Sequence, residues 1–149
     1  MLEKTGNIFE QEDADAICFT SNGVVKANGE LVMGAGIAKA FKDRWPTLPA
    51  RFGARIRAFG NIPLIVYTPD ETCIISFPTK YHWKDKSDLN LIKQSAEKLA
   101  QHADDFHLDF KRIYLPRPGC GLGGLDWETQ VKPLISSILD DRFVVISNE

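Results

Sequence analysis

The chain has 149 residues, of which 44% are hydrophobic and 26% charged, the composition of one ordinary globular domain. Eighteen basic residues against twenty acidic ones leave a formal charge of −2, which argues against a protein whose whole surface binds nucleic acid. No segment approaches the roughly 20 apolar residues of a membrane span, and there is no signal-peptide pattern. The three scattered cysteines suit neither a disulfide framework nor a zinc site. We therefore expect one cytoplasmic domain over residues 1–149, without metal or cofactor.

Short apolar runs alternate with segments of helical period, which is the pattern of an α/β fold around a largely parallel sheet. The predicted elements, in chain order, are a strand at 16–20, helices at 37–45 and 49–59, strands at 64–67 and 73–77, a helix at 89–103, a strand at 113–115, a helix at 127–139 and a strand at 143–146. The turn at Pro69-Asp70 predicts an antiparallel hairpin, and Ser87 or Asp88 is expected to cap the third helix. Pro133 should cost the fourth helix hydrogen bonding unless it lies in the first turn or two.

The strongest local signal is a glycine-rich loop between the strand at 113–115 and the helix at 127–139. Glycine lets backbone N–H groups turn toward an anion, and a following helix adds its positive end, so the loop predicts a phosphate site. A tight turn that needs positive φ angles would explain the same glycines, and this interpretation stays open. The loop has neither the Gly-Lys-Ser/Thr ending of a nucleotide-hydrolysing phosphate loop nor the spacing of the dinucleotide fingerprint. The candidate residues are Pro118, Gly119, Cys120, Gly121, Leu122, Gly123 and Gly124.

A second glycine cluster, Gly34-Ala35-Gly36-Ile37, opens the helix predicted at 37–45 and also offers backbone donors. Two such loops after two different strands suit a ligand with two anionic groups lying along the carboxyl edge of the sheet.

These motifs together resemble the macrodomain superfamily over nearly the whole chain. The resemblance is carried by Gly6-Asn7-Ile8, Ser21-Asn22, Gly34-Ala35-Gly36-Ile37-Ala38 and Gly119-Cys120-Gly121, in that order. Within the superfamily, the segments at 77–83 and 119–127 are most similar to the branch of terminal ADP-ribose glycohydrolases and of the antitoxins that remove ADP-ribose from thymidine in DNA. The resemblance implies a three-layer α/β/α fold with a central mixed, mostly parallel sheet, and ADP-ribose as ligand.

The same resemblance implies roles for individual residues. Asn22 would hold the distal ribose and Lys80 would engage its anomeric carbon, while the glycine loops cradle the diphosphate. A partly desolvated lysine with a lowered pKa can attack such a carbon or handle a proton. The plainer interpretation is that Lys80 belongs to a solvated basic loop with His82, Lys84 and Lys86. The remaining implied ligand contacts are Asn7, Ile8, Phe9 and Ser21.

The sequence departs from the family at two positions. The protein-directed glycohydrolases pair their lysine with an acidic residue in the phosphate loop, and the matching position here is Gly123. Asp126 is a substitute for that acid or, more simply, a helix N-cap. The aspartate that contacts adenine is replaced by Asn7, whose side-chain oxygen accepts a hydrogen bond without charge assistance.

Three functions remain open at this stage: an ADP-ribosyl hydrolase acting on a modified protein carboxylate or nucleobase, a non-catalytic ADP-ribose reader, and an ADP-ribose 1″-phosphate phosphatase. The aromatic and basic residues of 81–86 suit single-stranded DNA, although an ordinary loop rim looks the same. Phe9, Trp45, Trp83 and Trp127 are interpreted as core or wall residues, and Cys120 is given no catalytic role. We expect a monomer that does not bind membranes.

Overall fold

The computed structural model describes residues 1–148 and contains one six-stranded sheet. Its strands are β1 (Leu2–Thr5), β2 (Ala16–Ser21), β3 (Ile65–Tyr67), β4 (Cys73–Pro78), β5 (Ile113–Leu115) and β6 (Phe143–Ser147). The strand order is β1-β6-β5-β2-β4-β3, and every neighbouring pair is parallel except the antiparallel pair β3–β4. The mixed, mostly parallel sheet and its hairpin are therefore confirmed.

Helices cover both faces of this sheet. They are α1 (Gly36–Arg44), α2 (Leu48–Phe59), α3 (Leu89–Asp104) and the short α4 (Lys132–Ile135), with a 3₁₀ turn at Ile8–Glu10 and a π-helical turn at Trp127–Val131. Asp88 caps α3, since its carboxylate accepts a hydrogen bond from the Leu91 N–H at 3.0 Å. None of the helices in residues 1–148 is long and apolar enough to cross a membrane.

Two apolar cores lie on opposite faces of the sheet because successive strand residues point in opposite directions. On β2, Cys18 packs in the core on the side of α3 and α4, and its neighbour Phe19 packs in the core on the side of α1 and α2. Leu99 of α3 and Phe41 of α1 are completely buried in these two cores. The result is the predicted three-layer α/β/α arrangement.

Two elements differ from the sequence-based expectation. The helix predicted at 127–139 is a π-helical turn followed by α4, which ends at Ile135, and Pro133 lies in the first turn of α4, where its missing N–H costs little. Strand β1 was not predicted, because all of its side chains are exposed and the segment has no apolar alternation. It is an edge strand that pairs only with β6.

Candidate functional site

The carboxyl ends of β5, β2 and β4 lie side by side, so the loops that follow these three strands meet at one edge of the sheet. Pairing between β2 and β4 continues beyond the strands: the Thr79 N–H donates to the Ser21 carbonyl at 3.0 Å and the Gly23 N–H donates to the Tyr81 carbonyl at 3.2 Å. Asn22 and Lys80 therefore lie on adjacent segments, about one strand spacing (~4.8 Å) apart. The structure brings together the two residues that the sequence predicted to be catalytic.

Asn22 is buried, with 8% of its surface exposed, and its amide shapes the loop that follows β2. The side-chain oxygen accepts from the Val24 N–H at 2.9 Å and the side-chain nitrogen donates to the Val32 carbonyl at 3.0 Å. These two bonds pin both ends of the excursion at 24–32. One N–H and one lone pair of the amide are left over for a ligand.

The ammonium group of Lys80 has no carboxylate partner among residues 1–148, although the side chain is half-buried. Lys39 and Lys132, in contrast, each hold a carboxylate at 2.7 Å. The backbone of Lys80 is anchored on two sides, with its N–H donating to the Ser21 carbonyl at 3.4 Å and its carbonyl accepting from the Asn61 side chain at 3.1 Å. A fixed backbone thus carries a charged group that is available for a substrate.

Asn61 is a site residue that the sequence analysis missed. Besides its bond to Lys80, its nitrogen lies 2.9 Å from where a Cβ at Gly23 would stand, so Asn61 fills the space between the two loops. Its side-chain oxygen is buried and has no hydrogen-bond partner in the part of the chain described. In the sequence Asn61 stands just after the helix predicted at 49–59, and no local signal connects it to Lys80.

The glycines of the loop after β5, at 119–124, serve two different purposes. Gly119 and Gly124 have φ angles of 75° and 78°, in the left-handed region that glycine favours, and a Cβ at Gly119 would come within 2.8 Å of Ile92 on α3. These two positions fit the tight-turn interpretation. Gly121 is exposed, with open space where its side chain would be, and is the position at which a ligand can approach the backbone closely.

Gly123 is a packing residue. A Cβ at this position would lie 2.1 Å from the Ser87 hydroxyl and 2.5 Å from the Gly119 carbonyl oxygen, and the Gly123 carbonyl accepts from the Ser87 N–H at 3.0 Å. The end of the loop after β4 is thus packed against the loop after β5. No acidic side chain fits here without moving the backbone.

The start of α1 has backbone donors without a side-chain cap. Ala35 is the N-cap residue and provides no side-chain hydrogen bond, and the first turn has no acidic residue. Because the first N–H groups of a helix lack partners within it, this end is suited to an anion. A Cβ at Gly36 would lie 3.4 Å from the Leu122 side chain, so the two glycine clusters lie next to each other.

The helical turn after the glycine loop at 119–124 does not provide a free positive end for a phosphate, contrary to the sequence-based expectation. The Asp126 carboxylate accepts from the Thr129 N–H at 2.8 Å and from the Thr129 hydroxyl at 2.6 Å. These hydrogen bonds hold the pKa of Asp126 below its usual value. Asp126 is therefore the N-cap, the simpler of the two interpretations, and its negative charge already occupies this helix end.

The predicted adenine-side residues lie in the turn that follows β1. Asn7 lies at the carboxyl end of β1, where its side-chain oxygen accepts from the Phe9 N–H at 2.9 Å. Phe9 packs against Phe41 and Trp45, with ring centroids 4.9 and 6.0 Å away. Phe9 and Ile8 also line a pocket with the residues that begin β2 and β4. Phe9 therefore belongs to the apolar wall beneath α1.

Two further predicted residues lie at the site edge. The Ser21 hydroxyl is buried at the end of β2 and has no hydrogen-bond partner among residues 1–148. Cys120 donates to the Pro118 carbonyl at 3.4 Å, and burial raises the pKa of its thiol to about 11. A thiol with this pKa is a poor nucleophile at neutral pH.

Comparison with known proteins matches the Macro domain family model to residues 24–133 of this chain. The DNA ADP-ribosyl glycohydrolase of Mycobacterium tuberculosis is 33% identical over 113 residues, which are 71% of this chain and 31% of that protein. The enzyme of the same name from Thermus aquaticus is 30% identical over 118 residues, covering 73% of this chain and 31% of that protein. The aligned region thus spans about a third of the length of these relatives.

Solved structures of macrodomains are similar to this chain over nearly its whole length. The macrodomain of Thermus aquaticus DarG superposes with a TM-score of 0.78 and 28% identity, over 100% of this chain and 99% of that one. The macrodomain of Mycobacterium tuberculosis DarG gives 0.77 and 31% identity, over 96% and 95%. Thermosipho africanus DarTG in complex with ADP-ribose gives 0.77 and 25% identity, over 95% of this chain and 39% of that one.

Proposed function

The chain belongs to the macrodomain family, and on that premise we propose that it binds ADP-ribose and removes it from modified DNA. One observation carries the proposal. Lys80, whose ammonium group has no carboxylate partner in residues 1–148, follows β4 on the segment next to Asn22, at the edge where the two glycine loops meet.

The diphosphate is placed between the uncapped start of α1 and the exposed backbone at Gly121. Both provide backbone N–H groups, and the positive end of α1 adds to the attraction for an anion. The distal ribose then lies over the end of β2, where the Ser21 hydroxyl and the second N–H of the Asn22 amide can form hydrogen bonds with it. These groups support ADP-ribose binding before any cleavage is considered.

Lys80 provides the chemistry at the anomeric carbon of the distal ribose. The Lys80 ammonium first gives a proton to water, and the resulting amine attacks that carbon while the bond to the DNA base breaks. The base leaves with the bonding electron pair and takes up a proton from water. Water then releases ADP-ribose from the lysine adduct. DNA is chosen over a protein carboxylate because the relatives in Mycobacterium and Thermus are named DNA ADP-ribosyl glycohydrolases.

A non-catalytic reader is the second candidate, and Gly123 favours it. A reader needs the two glycine loops but no acid beside the lysine, and Gly123 leaves no room for one. The phosphatase interpretation has no specific observation in its favour.

The deciding experiment measures ADP-ribose release from ADP-ribosylated single-stranded DNA and from ADP-ribosylated protein. Lys80→Ala is expected to slow release from DNA at least ~100-fold, with the affinity for free ADP-ribose nearly unchanged. Lys111→Ala is the control, since Lys111 is an exposed lysine next to the amino end of β5, at the opposite edge of the sheet. If the wild type binds ADP-ribose but releases it from neither substrate, the chain is a reader.

A further inference from the structure

The residues that directly follow Lys80 form an exposed loop of unusual composition. All six residues of 81–86, called the rim loop below, are exposed. Tyr81 is 56% exposed and Trp83 47%, which contradicts the interpretation of Trp83 as a core or wall residue. Aromatic side chains bury most of their surface when packing alone determines their position, so the exposure of two in three residues suggests a partner.

The aromatic part of the rim loop is ordered before any partner arrives. The His82 ring stacks on Trp83 with centroids 5.3 Å apart and an interplanar angle of 30°, and the Lys84 ammonium lies 5.1 Å from the Trp83 ring centroid. The Lys84 N–H also donates to the His82 ring nitrogen at 3.1 Å. Because these side chains are already held in place, a ligand that stacks on them loses less conformational entropy on binding.

One backbone hydrogen bond and one side-chain contact fix the rim loop against the proposed catalytic site. At one end, the Tyr81 carbonyl accepts from the Gly23 N–H at 3.2 Å. At the other end, the aliphatic part of Lys86 lies within 4.0 Å of the Cβ position of Gly124. The rim loop therefore extends from Lys80 to the glycine loop at 119–124, and Tyr81 is the aromatic residue next to the reacting lysine in the chain.

The charge of the rim loop is positive although the whole chain is not. Lys84 and Lys86 outnumber Asp85, and neither lysine is paired with a carboxylate among residues 1–148, whereas the full chain has a net charge of −2. Phe106 and His107 form another exposed aromatic pair, with ring centroids 4.1 Å apart. That pair lies among three aspartates, at 104, 105 and 109, so aromatic and basic character combine at the rim loop and not there.

We propose that the rim loop is a docking surface for the single strand of nucleic acid on either side of the modified nucleotide. Bases next to that nucleotide stack on Tyr81 and Trp83, and Lys84 and Lys86 contact the phosphates. Single-stranded nucleic acid fits because its bases are free to stack on aromatic rings and its phosphates can contact the two lysines of the rim loop. The proposal rests on the function proposed above, to which it adds the residues that hold the strand beside the modified nucleotide.

The test compares two substrates that carry the same ADP-ribosylated base. One is a single-stranded oligonucleotide of about 15 nucleotides, near the upper site size of small strand-binding folds, and the other is the modified mononucleotide. For the double variant Tyr81→Ala/Trp83→Ala, KM for the oligonucleotide is expected to rise about 10-fold or more. The kcat value, KM for the mononucleotide and the affinity for ADP-ribose should stay near the wild-type values.

Charge is tested separately with Lys84→Gln/Lys86→Gln. Each lost phosphate contact should reduce the slope of log KM against log salt by about 0.7 for single-stranded DNA. Phe106→Ala is the matched control, because Phe106 is 80% exposed and follows α3, whose 16 residues extend about 24 Å from the site edge. This control should leave every parameter unchanged.

Failure of this inference can be told apart from failure of the proposed function. If the wild type cleaves both substrates and the rim-loop variants have the wild-type KM for the oligonucleotide, the proposed docking surface is wrong. The proposed hydrolase function is then unaffected. If no substrate is cleaved, fluorescence anisotropy with an unmodified labelled oligonucleotide still tests the surface, since the variants must bind it more weakly than wild type. If the variants impair only the release from ADP-ribosylated protein, the surface binds polypeptide and the proposal is overturned.

Discussion

Gly121 and Gly123 lie two residues apart in one loop, yet an added methyl group should affect them in opposite ways. At Gly121 nothing lies within 4 Å of the Cβ position, and its φ is outside the left-handed region. Alanine there restricts the unfolded chain and should stabilise the fold by about 0.4–1 kcal/mol, which raises Tm by about 1–4 °C for a chain of this size.

At Gly123 the same methyl group would stand 2.1 Å from the Ser87 hydroxyl and 2.5 Å from the Gly119 carbonyl oxygen. The hydroxyl can rotate away, but the carbonyl belongs to a backbone held by a hydrogen bond from the Leu125 N–H at 3.0 Å. Overpacking of this kind costs about 1–3 kcal/mol, so Gly123→Ala should lower Tm by about 2–12 °C. Adding Ser87→Ala should restore only part of the loss, because the carbonyl clash remains.

Thermal unfolding by circular dichroism measures the stability of these variants, and titration calorimetry with ADP-ribose measures their affinity. Gly121→Ala should bind ADP-ribose more weakly than wild type although it is the more stable protein, because its methyl group enters the space assigned to the diphosphate. Gly121→Glu, which also adds a negative charge, should abolish binding. Unchanged affinity in both Gly121 variants would place the cradle elsewhere, and an unchanged Tm for Gly123→Ala would refute the packing against Ser87.

Three further predictions concern the surroundings of the loops. Because burial raises the pKa of Cys120 to about 11, Cys120→Ala should hydrolyse as fast as wild type, and alkylation of the native thiol should be slow at pH 8 and accelerate toward pH 11. Asn61→Ala should lower kcat while leaving the affinity for ADP-ribose within about threefold, because it frees the Lys80 backbone; equal losses in both would make Asn61 merely structural. The pKa of Asp126 is lowered by Thr129, so the stability it provides is present above its ordinary pKa of 3.8 and is lost as the pH falls through its folded value. The Tm difference between wild type and Asp126→Ala should therefore be largest near neutral pH and shrink below about pH 3.8.

Most of the fold could be predicted because buried strands and amphipathic helices leave local patterns in the sequence. The exceptions are instructive. One helix was predicted over 127–139, where Trp127, Val131, Ile135 and Leu139 recur every four residues, and all four are buried. A spacing of four also fits a π-helical turn, in which hydrogen bonds join residues five apart. In the structure this segment begins with such a turn, at Trp127–Val131.

The site was predictable only as far as its motifs are local. Both glycine clusters and the Asn22 and Lys80 segments follow strands, and the sheet places them at one edge without further information. The contacts of Ser87 with Gly123 and of Asn61 with Lys80 join residues 36 and 19 positions apart. Contacts of this kind depend on how whole loops pack, so no spacing in the sequence indicates them.

The carboxylates around Lys80 restrict the bonds that the proposed hydrolase can break. Asp88 and Asp126 cap helices, Gly123 leaves no room for an acid, and Asp85 is exposed to water in the rim loop. None of these positions offers a buried carboxylic acid that would protonate a leaving group. A base nitrogen or a carboxylate that departs as a stabilised anion needs no such acid, whereas a serine oxygen does. ADP-ribose linked to serine should therefore resist this protein under conditions in which ADP-ribosylated DNA is cleaved, and comparable release from both would show that an acid acts at the site.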